Sequence, residues 1–257
     1  MQYNKIECDS ASDLVEQVMN VTRGFEARYS ASAVPFFRGH PSVSFKLLPG
    51  LHRPMQHGPY MPYDEKNFYY EFRARAGALL SPGYSSWDVL FLMQHHGVPT
   101  RLLDWTESFA TALYFALEGA TGDVDVWMLD PYDLNRQVVG AADILDVDVG
   151  VGAEYSDLFI EQNAPPKPWT AVAIYPRRQI ARLASQHGLF TLHFTNQPLE
   201  DFAASWLTRI RLHASAVDEA RRLLKVMGVN DFTLFPDLDG LSRFLRKRIR
   251  GGYGMIA

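Results

Sequence analysis

The stretch that decides the fold reads HHGVPTRLLDWT over residues 95–106, and it leads into the apolar run FATALYFA over residues 109–116. The Gly-x-Pro sequence after the two histidines predicts a turn. The apolar pair Leu102-Leu103 then predicts a buried strand. Since the run at 109–116 is apolar on nearly every face, it predicts a buried helix. A turn, a short strand and a buried helix thus follow one another without a spacer.

Polar side chains concentrate where this strand ends and the helix begins. Either Asp104 or Thr106 could cap the helix, with Glu107 favourably placed in its first turn. Arg101 and the two histidines add to the polar groups, and an ordinary core element does not need so many. Two interpretations remain open: the stretch lines a functional site, or a buried Arg101–Asp104 pair only fixes the fold.

The composition restricts the classes of protein to which this chain can belong. The chain has 257 residues, 47% of them hydrophobic and 21% charged, which is enough for one large domain. Its net charge of −4 argues against a chain that binds polyanions as a whole. The single cysteine, Cys8, excludes an internal disulfide framework and a cysteine-based zinc site. With no apolar run long enough to span a bilayer and no signal peptide, we expect a cytoplasmic protein without a membrane partner.

Periodicity along the rest of the chain predicts an α+β protein, with helices mainly in the first half and strands in the second. Helices are predicted over residues 10–29, 63–80, 86–95, 217–227 and 242–249, and strands over residues 34–40, 123–129, 170–176, 188–194 and 205–212. In the second helix, Phe68, Phe72 and Leu79 are expected to face inward. Residues 132–168 are irregular and acidic, which is typical of an insertion or a lid. No boundary divides the chain, so we expect a single domain over residues 1–257.

Two further segments carry candidate binding residues. Arg38 lies in the triplet Phe37-Arg38-Gly39, and its guanidinium suits a phosphate or a carboxylate. Gly39 would let a ligand approach the backbone closely, although a surface arginine after a strand is as plausible. Gln186 precedes a predicted strand, where its amide could position a substrate, or the segment could be a structural turn.

The C-terminal region offers charges of both signs. Asp237 and Asp239 lie on a Pro-Gly turn and favour a structural role as helix caps. The last helix carries a basic cluster that could contact nucleic-acid phosphates, or could be a solvated helix end: Arg243, Arg246, Lys247 and Arg248. The adjacent histidines point apart, so no metal site is expected there, but His96 could serve as the base of a hydrolase.

Four pieces of the sequence together resemble the FRG domain family, which is named for the Phe-Arg-Gly triplet. The pieces are FRG at 37–39 with LPGL at 48–51, QHHGVPTRLLDWT at 94–106 with ALYFA at 112–116, QHGLFT at 186–191, and FPDLDGL at 235–241. The match covers residues 15–250, and the central motif is long and specific.

This resemblance implies a fold and an activity. FRG domains are similar to ADP-ribosyltransferases, which bind NAD+ in a cleft within a split β-sheet core surrounded by helices. By that similarity Arg38 would hold the pyrophosphate or the nicotinamide ribose, and Thr106 would contact that ribose. Trp105 and Tyr114 would flank the nicotinamide. Gly39 and Arg101 complete the cofactor-binding residues that the resemblance implies.

The implied activity is NAD+-dependent mono-ADP-ribosylation of a nucleic-acid base, with DNA favoured over RNA as the partner. Most such enzymes place a catalytic Glu two residues after a Gln, and here Gly188 stands at that position. Asp104 is the expected substitute, with Glu107 and Glu71 as alternatives, and Gln186 and His96 are further catalytic candidates. The competing hypothesis is an inactive sensor of nucleotides or nucleic acid that uses the same pocket.

Overall fold

The protein is described by a computed structural model over residues 3–30, 32–54, 60, 62–152, 154–161, 167–176, 188–202 and 205–250. The strands are β1 (Asn4–Cys8), β2 (Phe36–His40), β3 (Leu102–Thr106), β4 (Val124–Leu129), β5 (Leu145–Asp146), β6 (Ala171–Tyr175), β7 (Gly188–His193) and β8 (Leu207–Leu212). The helices are α1 (Ala11–Arg28), α2 (Pro62–Ala76), α3 (Ser86–His95), α4 (Phe109–Leu117), α5 (Pro131–Val138), α6 (Val217–Val226), α7 (Asp231–Leu234) and α8 (Leu238–Arg250).

The strands form one mixed sheet in the order β1-β8-β4-β2-β3-β7-β6-β5. The end strands β1 and β5 each run parallel to their neighbour, and the other neighbours are antiparallel. The central junction is the weakest, because β2 and β3 share only the pair Phe37–Thr106. The sheet is therefore two four-stranded halves that meet at one residue pair.

Each half carries its own layer of helices on one face. Helices α1, α4 and α6 cover β8, β4 and β2 around Leu113, Val126 and Ile210. Helices α2 and α3 cover the other half, where the rings of Phe91 and Phe190 lie 5.4 Å apart. Because strand side chains alternate between faces, the opposite face builds a third cluster that spans both halves and includes three tryptophans: Trp105, Trp127 and Trp206.

Gly39 fixes the position of α4 on the sheet. A Cβ atom at Gly39 would lie 1.9 Å from the Ala112 carbonyl oxygen and 2.5 Å from the Ala116 amide nitrogen. Only a residue without a side chain allows the helix backbone to approach β2 this closely. Helix α4 therefore fills the space that a side chain at residue 39 would need, and the approach of a ligand to the Gly39 backbone stays a prediction.

Most predicted elements are confirmed, including α1, α3, α4, α6 and strands β2, β4, β6, β7 and β8. The strand after Arg101 is longer than predicted and includes Asp104 and Thr106. Neither residue caps α4: the Ser108 hydroxyl accepts from the Thr111 amide at 3.2 Å, and Glu107 precedes the cap. The last helix begins at Leu238 instead of residue 242.

The region from 132 to 168 is more regular than predicted. Helix α5 begins at Pro131, capped by Asp130, and the short strand β5 joins the sheet beside β6. The sequence patterns also do not predict strand β1. Leu79, which was expected to face inward, is 88% exposed. The α+β class is confirmed as a mixed sheet covered by helices. In the described part of the chain, no helix has the length and apolarity to cross a membrane.

Candidate functional site

A cleft of about 710 Å³ opens where β2 and β3 separate. Its lining includes Arg38, His40, Phe45, Arg53, Asp104 and Phe115. Strands β2, β3 and β7 all edge this cleft. Its volume lies within the range of about 300–1,000 Å³ that small-ligand pockets occupy.

Arg38 bridges the two halves of the sheet. Its Nη1 donates to the Asp104 carbonyl oxygen at 2.5 Å and lies 4.0 Å from the carboxylate oxygen Oδ2. Its Nε donates to Nε2 of His40 at 3.1 Å. Burial lowers the pKa of Arg38 to about 10, with Asp104 opposing that shift and Arg53 adding to it. The guanidinium stays charged at neutral pH, and it is held at the mouth of the cleft.

Asp104 faces Arg38 with an accessible carboxylate. Its side chain is 57% exposed, and Oδ2 accepts from the Gln94 side-chain amide at 2.8 Å. The Gln94 carbonyl in turn accepts from the Thr100 hydroxyl at 2.5 Å. Oδ1 has no hydrogen-bond partner among the described residues, so one carboxylate oxygen is available to a ligand.

His40 is a neutral neighbour of Arg38. Its side chain is only 3% exposed, and burial lowers its pKa to about 2, with the charges of Arg38 and Arg53 lowering it further. Because Nε2 accepts from Arg38, the imidazole proton resides on Nδ1. His40 therefore supports the guanidinium without adding charge to the cleft.

Two further cations give the cleft a positive rim. Arg53 lines the cleft and uses its Nε to bind the Leu48 carbonyl oxygen at 3.0 Å, which leaves its Nη atoms without a partner in the described part of the chain. Lys46 also lines it and lies 3.7 Å from Glu200. A cleft with two arginines and a lysine facing Asp104 and Glu118 attracts an anionic group.

The predicted residues Thr106 and Trp105 also line the cleft. The Thr106 hydroxyl accepts from the Ser108 amide at 3.1 Å, so it helps to set the start of α4. The Trp105 indole is 97% buried, and its Nε1 donates to Thr191 at 3.0 Å. Trp105 is thus a core residue, and Phe45 and Phe115 are the exposed aromatic residues of the lining.

Arg101 does not line the cleft. Its guanidinium binds both carboxylate oxygens of Glu65, donates to the His193 carbonyl oxygen at 2.9 Å and lies 4.0 Å from the ring centre of Phe159. The Tyr155 hydroxyl binds the same Glu65 carboxylate. We therefore correct two predictions, that Arg101 is a cofactor-binding residue and that it pairs with Asp104. Arg101 is a buried structural residue, and its partner is Glu65.

Tyr114 and two members of the basic cluster, Lys247 and Arg248, line a second cavity of about 910 Å³ beside α6 and α8. The Tyr114 hydroxyl donates to the buried Asp231 at 2.9 Å, so it does not form a pair with Trp105 around one ligand. Lys247 binds Asp231 and Glu118, and Arg243 lies 3.6 Å from Asp231. The charges of Lys247 and Arg243 are therefore neutralised by these carboxylates. Arg246 contacts the Ser242 carbonyl oxygen, and Arg248 lies over the ring of Phe244.

Three of the remaining catalytic candidates, His96, Glu71 and Glu107, lie outside the cleft. His96 is an exposed residue at the end of α3, beside a hollow formed with α2. Glu71 pairs with Arg75 at 2.7 Å on the surface, and Glu107 is not a lining residue. Gln186 lies outside the described residues. Among described residues, no group of three or more His, Cys, Asp or Glu side chains could hold a metal ion.

The C-terminal turn confirms the structural interpretation of Asp237. Its carboxylate accepts from the Gly240 amide at 2.7 Å, and its carbonyl accepts from the Leu241 amide at 2.9 Å. Asp239 lies in the first turn of α8, where a carboxylate suits the helix dipole.

Sequence reasoning assigned no role to Gln94, Thr100, His40 or Arg53. Gln94 and Thr100 both lie in the central motif, six residues apart. Only the turn between them brings their side chains together. Arg53 lies in a loop and carries no periodic signal. Arg38 and His40, two apart on one strand, share a face, and that spacing was the available signal.

A search of protein-family models matches the FRG domain over residues 34–123. The matched segment contains β2, the central motif and α4, and it supplies all of the described cleft lining except Gly188 and Phe190. The pieces at 186–191 and 235–241 lie outside it. No curated protein and no solved structure matches the chain.

Proposed function

We propose that this chain, which carries an FRG domain at residues 34–123, binds NAD+ in the cleft and transfers its ADP-ribose to an acceptor with release of nicotinamide. The observation that carries this proposal is the guanidinium of Arg38 facing the accessible carboxylate of Asp104 across the gap, 4.0 Å apart. The first group suits a phosphate, and the second suits the positive charge that develops on a ribose.

The lining offers complementary chemistry for each part of NAD+. Arg38 and Arg53 can bind the diphosphate, for which guanidinium groups are well shaped. The exposed rings of Phe45 and Phe115 offer apolar faces for the two planar bases. The cleft of about 710 Å³ is large enough for a ligand of that kind.

The proposed reaction requires little covalent work from the protein. The bond between the ribose C1′ and nicotinamide breaks, and nicotinamide leaves with the electron pair. Positive charge then develops on the ribose, and the Asp104 carboxylate stabilises it. A lone pair of the acceptor forms the new bond at C1′, and the acceptor loses its proton to solvent.

A nucleic-acid base, with DNA favoured, is the acceptor in this proposal. Support for it is limited to the basic cluster on α8, in which Arg246 contacts the Ser242 carbonyl oxygen and Arg248 lies over the ring of Phe244. Arg243 and Lys247 are already paired with Asp231 and Glu118. The acceptor is thus the part of the proposal that most needs a direct test.

The second candidate function is a nucleotide sensor that binds NAD+ without cleaving it. It is favoured by Gly188, which lines the cleft at the position where related transferases carry a catalytic Glu. A sensor needs the cationic rim and the aromatic rings but no carboxylate near the ribose. The two functions therefore predict the same ligand and differ in turnover.

The experiment that tests the proposal incubates the protein with NAD+ labelled in the adenine, alone and with single-stranded DNA, duplex DNA, RNA or protein. Nicotinamide release and transfer of label are measured, together with NAD+ affinity by calorimetry. Transfer to DNA supports the full proposal, and transfer to another acceptor corrects the acceptor alone. Binding without nicotinamide release supports the sensor, and absence of binding rejects both.

A further inference from the structure

We infer that Gln94 is a positioning residue for Asp104, with its side-chain amide fixed in one orientation by Thr100. This inference rests on the proposed function, because it concerns how the carboxylate is held against the reacting ribose. Gln94 lies on α3 and Asp104 on β3, so the contact joins a helix to the strand that edges the cleft.

The hydrogen bonds have a single consistent direction. The Leu102 amide donates to the Thr100 hydroxyl oxygen at 3.1 Å, which leaves the hydroxyl proton free to be donated onward. Thr100 donates it to the Gln94 carbonyl at 2.5 Å, and the Gln94 amide nitrogen donates to Asp104 Oδ2 at 2.8 Å. A carboxylate only accepts, so both ends of the chain require the same Gln94 orientation.

Burial makes this orientation stable. Thr100 is 1% exposed, so its hydroxyl cannot exchange its protein partners for water at low cost. If the amide were flipped, the Gln94 oxygen would face the carboxylate and its nitrogen would face the hydroxyl hydrogen. The contact between the Gln94 oxygen and the carboxylate would then be repulsive, and the buried hydroxyl would have to turn its hydrogen away from Gln94 in order to accept from the amide nitrogen.

The network determines which carboxylate oxygen meets the ligand. Gln94 and Arg38 both approach Oδ2, at 2.8 Å and 4.0 Å. Oδ1 is left without a described partner, and the rotation of the carboxylate about its last torsion is fixed. A carboxylate held in this way needs no reorganisation as charge develops on the ribose.

The role is distinct from that of a catalytic residue, since Gln94 is not among the residues that line the cleft. Losing it should misplace the carboxylate without removing it. A misplacement of about 1 Å can cost on the order of 100-fold in rate. The KM for NAD+ should change little, because the phosphate-binding arginines are untouched.

The test compares Thr100→Val with Thr100→Ser and adds Gln94→Glu, measuring nicotinamide release from NAD+ and melting temperature for each. Thr100→Val removes the hydroxyl at nearly constant shape and should lower kcat by about 10- to 100-fold, whereas Thr100→Ser should restore most of the loss. In Gln94→Glu the new carboxylate repels Asp104 unless it is protonated. Its kcat should therefore rise as the pH falls from about 7 to 5, relative to wild type.

Each outcome has a definite meaning. Equal kcat in wild type and Thr100→Val, or a Gln94→Glu profile that superimposes on that of wild type, overturns the positioning role. Equal losses in the Val and Ser variants overturn it as well, because the hydroxyl would then not be the cause. If wild type binds NAD+ but releases no nicotinamide, the proposed transferase activity fails and this inference fails with it.

Discussion

Arg38 lies on β2 and Arg101 directly precedes β3, the neighbouring strand, but the two guanidinium groups have opposite environments. Arg101 binds both oxygens of Glu65, the His193 carbonyl and the face of Phe159. Burial lowers the pKa of Arg101, but the charges of Glu65 and Tyr155 outweigh it and raise the pKa overall. Burial is not outweighed at Arg38, whose pKa falls to about 10 because its carboxylate partner is 4.0 Å away.

The difference shows how to distinguish an arginine with a structural role from one that binds a ligand. The Arg101 donors are used within the protein, so the guanidinium has little left to offer a ligand. Arg38 is also held, by the Asp104 carbonyl and His40, but it lines an open cleft and has no carboxylate at contact distance. Its unused donor capacity, more than its burial, is the reason for proposing that Arg38 binds an anion.

The largest expected effect is on stability, from Arg101→Ala. This change leaves the buried Glu65 carboxylate without its counter-charge, and breaking such a pair typically costs about 3–5 kcal/mol of unfolding free energy. The measurement is urea denaturation of wild type, Arg101→Ala and the double variant Arg101→Ala/Glu65→Gln. The double variant should recover part of the loss. If Arg101→Ala unfolds like wild type but loses NAD+ affinity, Arg101 is a binding residue after all.

The second effect is on turnover, from Asp104→Asn. Ser108 caps α4 and Glu65 pairs with Arg101, so neither structural explanation of Asp104 applies. We expect the fold and the NAD+ affinity to be kept and the barrier to nicotinamide release to rise by about 2–4 kcal/mol. Asp218→Asn, at a residue whose side chain is 78% exposed beside Arg221, is the matched control. Wild-type turnover in Asp104→Asn would remove the carboxylate from the chemistry.

The third effect is on affinity, from Arg38→Lys. A lysine is a point charge that cannot serve the Asp104 carbonyl, His40 and a phosphate together. NAD+ binding should weaken by about 1.5–3 kcal/mol, the usual contribution of a charge-assisted hydrogen bond. The melting temperature should fall only slightly, in contrast to Arg101→Ala. Calorimetric titration measures this, with the exposed Arg75→Lys as control; unchanged affinity with a large loss of stability would make Arg38 a second structural arginine.

Sequence patterns were sufficient for several elements that pack around the cleft. The alternation in β4 and the apolar run of α4 predict a strand and a buried helix, and both elements were predicted almost to the residue. The short strands β1 and β5 were not, because each depends on pairing with a strand distant in the chain. Local pattern carries no information about such a partner.

The partners of the polar residues could not be predicted for the same reason. Glu65 lies 36 residues before Arg101 in sequence, and nothing local distinguishes it from the other acids of α2. Gly39 shows a role that the local sequence does not reveal: the absence of a side chain lets the helix segment Ala112–Ala116 pack against β2, and Gly39 also lines the cleft. Residue type identified the groups capable of chemistry, whereas three-dimensional contacts decided which of them remain available.

The smallest expected effect is a pH dependence that both arginine sites share. His40 beside Arg38 and His193 near Arg101 are buried, and burial and nearby positive charge lower both pKa values. For His40 the value falls from 6.5 to about 2, so the unfolded chain binds a proton between these limits that the native state does not. Stability is therefore full above about pH 6.5 and decreases as the pH falls, by about 1.4 kcal/mol per pH unit for each such histidine.

The variant His40→Gln tests this pH dependence, because it keeps an acceptor for Arg38 but cannot titrate. Between pH 6.5 and 5 its unfolding free energy should fall less steeply than that of wild type, by about 1.4 kcal/mol per pH unit. Urea denaturation across this range measures the two slopes, and parallel slopes would mean that His40 is protonated in the folded cleft and acts there as a fourth cation beside Arg38, Arg53 and Lys46.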